Sequence, residues 1–160
     1  AILMEGFKES NWCDQEIGFA VGKDVLIIPI KKELDPYGFI GKYQAIQGNN
    51  TTVQEVAKSI FNTLIRNPKT RNIMLTCLIN LISNSTHIET ALKQLEILSS
   101  ITALPVELLE QMAKQIENNN VLIKSQKFID NIDKFFDKNG ITMTYANKDN
   151  SIEFVGKIPF

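Results

Sequence analysis

The spacing of hydrophobic and polar positions changes near residue 67. Before that point, the apolar runs 1–4 and 25–30 enclose a short segment with helical spacing, and this order predicts strand, helix, strand. A continuous apolar run is typical of a parallel strand that is covered on both faces. A helix is the usual connection between two neighbouring parallel strands. The pattern therefore favours an α/β architecture for this part of the chain.

The segment 10–22 is predicted to be one helix, which Ser10 or Asn11 begins and Gly22 ends. At 100° per residue from Trp12, Glu16 lies at about 40°, inside the apolar arc. Asp14 falls on the polar side. Because an unpaired buried carboxylate costs several kcal/mol, we expect Glu16 to face a polar group in a sheltered cleft.

Periodicity alone leaves a second interpretation of Glu16 open. A glutamate at the rim of a core can reach water or pair with a lysine such as Lys23, since structural ion pairs also hold acids. Trp12 is likewise either a core residue or a flat stacking surface for a ligand. Cys13 is interpreted as a small apolar residue rather than a nucleophile, because no cationic neighbour would activate its thiol.

Residues 31–48 are predicted to form a loop and a short helix with Asp35 as its cap. Tyr37 and Phe39 follow the second strand, where open α/β sheets bind ligands. They are equally well explained as packing residues of the following helix. Thr52 and Glu55 form a capping box that begins another helix, which ends near residue 67.

From residue 68 onward the pattern predicts helices only, followed by a β-hairpin. The helix within 71–82 is apolar on nearly every side, so we expect it to be buried. Further helices are predicted at 88–98, 105–117 and 122–138, and period-two alternation at 141–145 and 151–155 indicates the hairpin. The predicted domains are 1–67, which is α/β, and 68–160, which is helical and ends in the hairpin.

Composition excludes several functional classes. The 160 residues carry a net charge of −1, which disfavours electrostatic nucleic-acid binding. No apolar run reaches the roughly 20 residues that a membrane span needs. The two cysteines lack metal-ligand or disulfide spacing, and the lone His87 has no acid or cysteine pattern beside it, so no metal site is expected. We expect a cytoplasmic protein.

The sequence Trp12-Cys-Asp-Gln-Glu-Ile-Gly-Phe-Ala-Val-Gly22 lies between two predicted strands. With Ile27-Ile-Pro-Ile30 and Pro36-Tyr-Gly-Phe39, it resembles the bacterial Toll/interleukin-1 receptor (TIR) domain family. The likeness covers about the first 66 residues and matches the back half of that domain. It implies part of a flavodoxin-like parallel sheet, and we expect the front half to lie upstream of residue 1 in a longer parent protein.

The resemblance implies NAD glycohydrolase activity, the cleavage of the nicotinamide–ribose bond, with or without cyclisation, in bacterial immune signalling. The glutamate of the family motif maps onto Glu16 and its tryptophan onto Trp12. Ser10 would fix the helix geometry, while Tyr37 and Phe39 would contact substrate. NAD is then the substrate, and no further cofactor is expected. The resemblance also implies a homo-oligomer, and we expect activity from the full-length parent.

Two other hypotheses come from different functional classes. The same fold serves in non-catalytic protein-interaction modules, in which the helical region would dock a partner. A nucleotide-binding sensor without catalysis is the third hypothesis. Release of nicotinamide from NAD by the full-length protein distinguishes the enzyme from the other two.

Overall fold

Three short parallel strands form the sheet of the first unit, in the order β1 (Ile2–Leu3), β2 (Ile30–Lys31) and β3 (Ile46–Gln47). The structure is a computed structural model that describes residues 1–141, 143–146 and 151–154. The chain divides into two compact units, Ala1–Thr70 and Arg71–Phe160. The parallel pairing of β1 with β2, which lie before and after a helix, confirms the predicted strand–helix–strand order. The second strand is shorter than the predicted 25–30, since only Ile30–Lys31 is a strand.

Two helices and one 3-10 turn complete the first unit. Helix α1 spans Asn11–Gly22, the 3-10 turn spans Gly38–Ile40, and helix α2 spans Val53–Arg66. Leu3, Ile27 and Ile40 are the buried centre of the unit. The partly buried residues that pack around this centre are Phe7, Ile17, Ala20, Val21, Leu34 and Tyr43. The core therefore lies between α1, the sheet and the loop that follows β2.

The loop between β2 and α2 differs from its prediction. Ile46 begins a strand rather than belonging to a helix, because its N–H donates to the carbonyl of Pro29 at 2.9 Å. Asp35 is not a helix cap, since its carboxylate accepts from Lys31 Nζ at 2.5 Å. Tyr37 precedes the 3-10 turn and makes no side-chain cap. Sheet pairing satisfies the backbone groups that a helix would have used.

The capping box of α2 is confirmed. The Thr52 hydroxyl accepts from the Glu55 N–H, and the Glu55 carboxylate accepts from the Thr52 N–H at 2.8 Å. Each residue therefore satisfies a backbone donor that the first turn of a helix leaves without a partner.

Four helices make up most of the described part of the second unit, and α3 begins just before it. They are α3 (Pro68–Ser83), α4 (Ile88–Ser99), α5 (Val106–Glu117) and α6 (Gln126–Lys138). Their buried centre includes Leu75, Ile79, Ile82, Leu98, Leu109, Met112, Ile116, Phe128, Ile132 and Phe136. The helical character predicted for this region is confirmed.

Two further strands, β4 (Met143–Ala146) and β5 (Ser151–Phe154), pair in antiparallel register. The residues between them, 147–150, lie outside the described residues. The hairpin as a whole therefore stays a prediction.

The expectation that α3 is buried all round is wrong. Leu75, Leu78, Ile79 and Ile82 are buried, whereas Ile73 is 63% and Leu81 is 58% exposed. Cys77, midway between these two exposed residues, is exposed as well. Only one side of α3 packs into the helical core, because residues four apart share a helix face. Across the described residues, no helix is both long and apolar enough to span a membrane.

Candidate functional site

Ser10 begins α1 and sets where its first turn lies. Its backbone is extended, with φ −90° and ψ 106°, and its hydroxyl accepts from the Cys13 N–H at 3.4 Å. The prediction of a cap at Ser10 or Asn11 is thereby confirmed for Ser10. Asp14 lies in the first turn, where a negative charge is favoured by the helix dipole.

Trp12, Glu16 and Phe19 lie together on what we call the outer face of α1. Trp12 is 75% and Phe19 is 69% exposed, and Glu16 is exposed between them. No hydrogen bond or ion pair holds the Glu16 carboxylate within the part of the chain that the structure describes. The prediction that Glu16 lies in a sheltered cleft and faces a polar group is therefore wrong for this chain taken alone.

The reason is the rotational phase of α1. Apart from Gly18, the half-buried residues of the helix are Cys13, Ile17, Ala20 and Val21, and their side chains are centred about 125° away from Trp12. Three of these pack against the buried centre of the unit. The aliphatic residues, rather than the aromatic ones, thus determine which side faces inward, and Glu16 falls beyond the edge of that side.

Lys23 does not neutralise Glu16 either. Its ammonium lies 5.8 Å from the centre of the Phe19 ring, within the range of a cation–π contact. Of the second interpretation, the ion pair between Glu16 and Lys23 is therefore wrong, whereas the part in which Glu16 reaches water is confirmed. Glu16 and its aromatic neighbours are left facing solvent.

Tyr37 and Phe39 line a pocket on another side of α1. The pocket has a volume of about 260 Å³ and is lined by Phe7, Asp14, Ile17, Tyr37, Gly38, Phe39 and Ile40. The Tyr37 hydroxyl donates to Asp14 Oδ1 at 2.8 Å, which fixes the loop after β2 to α1. Gly38 has φ +52°, a left-handed conformation that a residue with a Cβ adopts at a cost.

The pKa of Tyr37 is raised to about 12. Partial burial is the larger cause, and the hydrogen bond to the Asp14 carboxylate is the next. Both causes disfavour the phenolate, because a charged phenolate would lose solvation and would repel a neighbouring carboxylate. Tyr37 therefore stays protonated at neutral pH and serves as a hydrogen-bond donor, not as a base.

The predicted site residues fall into two groups. Trp12 and Glu16 share the outer face of α1, whereas Tyr37 and Phe39 share the pocket, which neither Trp12 nor Glu16 lines. Ser10 caps the helix that carries both groups. The alternative in which Tyr37 and Phe39 are packing residues is supported for Tyr37, which is half-buried. It is not supported for Phe39, which is 68% exposed.

Asp14 is the site residue that the sequence reasoning missed. An apolar arc that is centred on Trp12 puts Asp14 on the polar side of the helix. Measured instead from Ile17, Asp14 lies only about 60° away, at the edge of the inward side. The aliphatic group Ile17-x-x-Ala20-Val21 was the signal that could have located it.

In the described residues no three His, Cys, Asp or Glu side chains converge to hold a metal ion. Comparisons with protein-family models, with curated proteins and with solved structures give no significant match for this chain. The function must therefore be argued from the residues and their geometry.

Proposed function

We propose that the protein is a TIR-type NAD glycohydrolase with a flavodoxin-like catalytic fold, in which Glu16 is the catalytic carboxylate. The observation that carries the proposal is the pairing of an acid with an indole on one exposed helix face. Trp12 and Glu16 are four residues apart in α1, so their side chains are neighbours on that face. Neither the Glu16 carboxylate nor the Trp12 ring is covered within the described residues.

The chemistry of nicotinamide release suits these two groups. Cleavage of the bond between C1′ of the ribose and the pyridinium nitrogen expels neutral nicotinamide and leaves an oxocarbenium-like ribose. A fixed carboxylate beside that cation stabilises it, as in glycoside hydrolysis. Because the leaving group departs neutral, no second acid has to protonate it. Trp12 would supply a flat surface for one of the rings of NAD.

Glu16 needs a second surface before it can act in this way. A carboxylate in bulk water stabilises a cation weakly, because the high dielectric constant screens their attraction. Because Glu16 is exposed in this chain, the proposal requires a second copy that covers the outer face of α1 and completes the site. We propose a cytoplasmic homo-oligomer that acts in bacterial immune signalling, with Ser10 fixing the first turn and with Tyr37 and Phe39 contacting the part of NAD farther from the reacting ribose.

The test is nicotinamide release from NAD by the full-length protein, measured by chromatography. Glu16→Gln keeps the size of the side chain and removes its charge, so we expect a loss of turnover of at least about a hundredfold. Glu9→Gln is the matched control, because Glu9 is also an exposed glutamate of the first unit and lies outside α1. Equal turnover by Glu16→Gln and the wild type, with unchanged circular dichroism, would rule out this role for Glu16.

A second candidate function is a non-catalytic interaction module. The observation that favours it is the exposure of the two aromatic rings, Trp12 and Phe19, on one helix face, since aromatic residues are enriched at the centres of protein interfaces. Such a module would leave NAD intact at every concentration, and its complexes would survive Glu16→Gln. Tight NAD binding without product would instead indicate a nucleotide sensor.

A further inference from the structure

The pocket beside α1 combines one carboxylate, an exposed aromatic ring and apolar walls. We propose that it binds a flat aromatic ring that carries an amino group, of the aminopurine class. The carboxylate is Asp14, the exposed ring is Phe39, and the apolar walls include Phe7, Ile17 and Ile40.

Asp14 supplies the polar recognition. One of its oxygens, Oδ1, accepts from the Tyr37 hydroxyl at 2.8 Å. Within the described residues no other hydrogen bond to the Asp14 side chain is present, so its second oxygen is available to a ligand. An ionised carboxylate only accepts hydrogen bonds. The ligand must therefore present an N–H or O–H donor at this point.

Phe39 supplies the stacking surface. The Tyr37 ring is already engaged, because Phe7 meets it edge-on at 6.4 Å between centroids and Lys8 Nζ lies 5.8 Å from its centroid. Phe39, in contrast, is 68% exposed at the rim of the pocket. Stacking of a flat ring on an aromatic side chain covers apolar surface and adds attraction between the rings.

The volume limits what fits. Pockets for drug-sized ligands measure roughly 300–1,000 Å³, and this one holds about 260 Å³. It accommodates one ring system rather than a whole dinucleotide. Among purines, adenine presents an amino donor at the 6-position, where hypoxanthine presents a carbonyl acceptor. If the free oxygen of Asp14 faces that position, it favours adenine, because two acceptors repel each other. This inference extends the proposed function by naming the adenine subsite of the proposed substrate, yet it does not depend on catalysis by Glu16.

The experiment measures binding of adenosine and inosine to the full-length protein by ligand-observed NMR titration. Wild-type protein is expected to bind adenosine about tenfold more tightly than inosine, the effect of one hydrogen bond to a charged acceptor. Asp14→Asn keeps the shape and replaces one carboxylate oxygen with an NH₂ donor. Because Tyr37 occupies the remaining oxygen, we expect this variant to reverse the preference and bind inosine more tightly.

Two controls separate recognition from folding. Asp35→Asn removes an equal charge from the loop after β2, which carries Tyr37 and Phe39, but Asp35 does not line the pocket, so this variant should leave the preference for adenosine unchanged. Phe39→Leu keeps an apolar residue and removes the stacking ring, so it should weaken both nucleosides alike. Equal affinities of the wild type for the two nucleosides, no binding of either one, or an unchanged preference in Asp14→Asn would each overturn the assignment. Adenosine lacks the scissile bond, so failure here is distinguishable from failure of the hydrolase proposal, which only NAD turnover tests.

Discussion

The side chain of Asn119 forms hydrogen bonds with four backbone groups of the helical unit. Its Nδ2 donates to the carbonyls of Ser83 at 2.8 Å and Ser85 at 3.0 Å. Its Oδ1 accepts from the N–H groups of Val121 at 3.0 Å and Leu122 at 3.2 Å. The end of α3 and the turn after α5 thus share one amide, which satisfies both its donors and its acceptor.

Replacing Asn119 by alanine should lower the free energy of unfolding by about 2–3 kcal/mol, because four backbone groups lose their partner in a partly buried setting. The neighbouring Asn118→Ala is the matched control. The Asn118 amide donates only to the Lys114 carbonyl and is exposed, so its loss should cost under about 1 kcal/mol. Urea denaturation followed by circular dichroism measures both, and equal costs would contradict the bridging role of Asn119.

The starts of α1 and α2 are predicted correctly from the sequence. Ser10 and the pair Thr52 and Glu55 cap their helices as predicted, because a cap depends only on residues within one turn of each other. The rotational phase of α1 could not be predicted in the same way. It depends on Leu3 and Ile27, which are distant in sequence and offer a surface that aliphatic side chains fill better than Trp12 does.

The capping box of α2 should make stability depend on pH in a defined direction. Hydrogen bonds from the Thr52 backbone and side chain lower the pKa of Glu55 below its ordinary value of 4.5. A carboxylate with a lowered folded-state pKa stabilises the fold above its unfolded pKa, and that stability is lost as the pH falls through the folded-state pKa. Glu55→Gln should therefore be less stable than the wild type at pH 7, and the difference should shrink below about pH 4.5.

Thermal unfolding at pH 7 and at pH 3 measures this difference for Glu55→Gln. Glu9→Gln serves again as the control, since the Glu9 carboxylate is exposed and lies in no helix. A destabilisation by Glu55→Gln that is equally large at both pH values would show that the ionised carboxylate does not carry the capping effect.

At the scale of the whole molecule, the α/β character of the first unit and the helical character of the second follow from the sequence. Continuous apolar runs predict parallel strands, and three-to-four-residue spacing predicts helices. The expectation that these strands are covered on both faces is wrong, since Ile2 of β1 is 53% exposed and both residues of β2 are only half-buried. The third strand could not be predicted, because Ile46 has apolar neighbours at helical spacing and pairs with Ile30 only through the folded sheet. The sequence predicts that a ligand site follows β2, but it does not predict that Asp14 lines this site. The hydrogen bond between Asp14 and Tyr37 joins residues 23 positions apart and forms only in the folded chain.

Self-association through the outer face of α1 should withstand salt. The net charge of the chain is only −1, and the exposed groups on this face are chiefly the rings of Trp12 and Phe19. Salt screens charge–charge attraction but leaves apolar burial intact. We expect the sedimentation coefficient of the full-length protein to show oligomers at both 0.05 M and 0.5 M NaCl. The double variant that carries Trp12→Ala and Phe19→Ala should be a monomer.

The control is Val53→Ala, because Val53 is the most exposed large apolar residue of the first unit, at 81%. Dissociation of the wild type by salt alone would contradict an apolar interface.

The exposure of Trp12 has a practical consequence for spectroscopy. It is the single tryptophan of these 160 residues and is 75% exposed. The tryptophan fluorescence of this segment therefore reports on the outer face of α1. The emission maximum of Trp12 should be close to that of indole in water, and it should shift to shorter wavelength when a ligand or a partner covers the Trp12 ring. Quenching of this emission by iodide or acrylamide should decrease when the ring is covered, so it measures how much of the outer face of α1 is occupied without a dye or a tag.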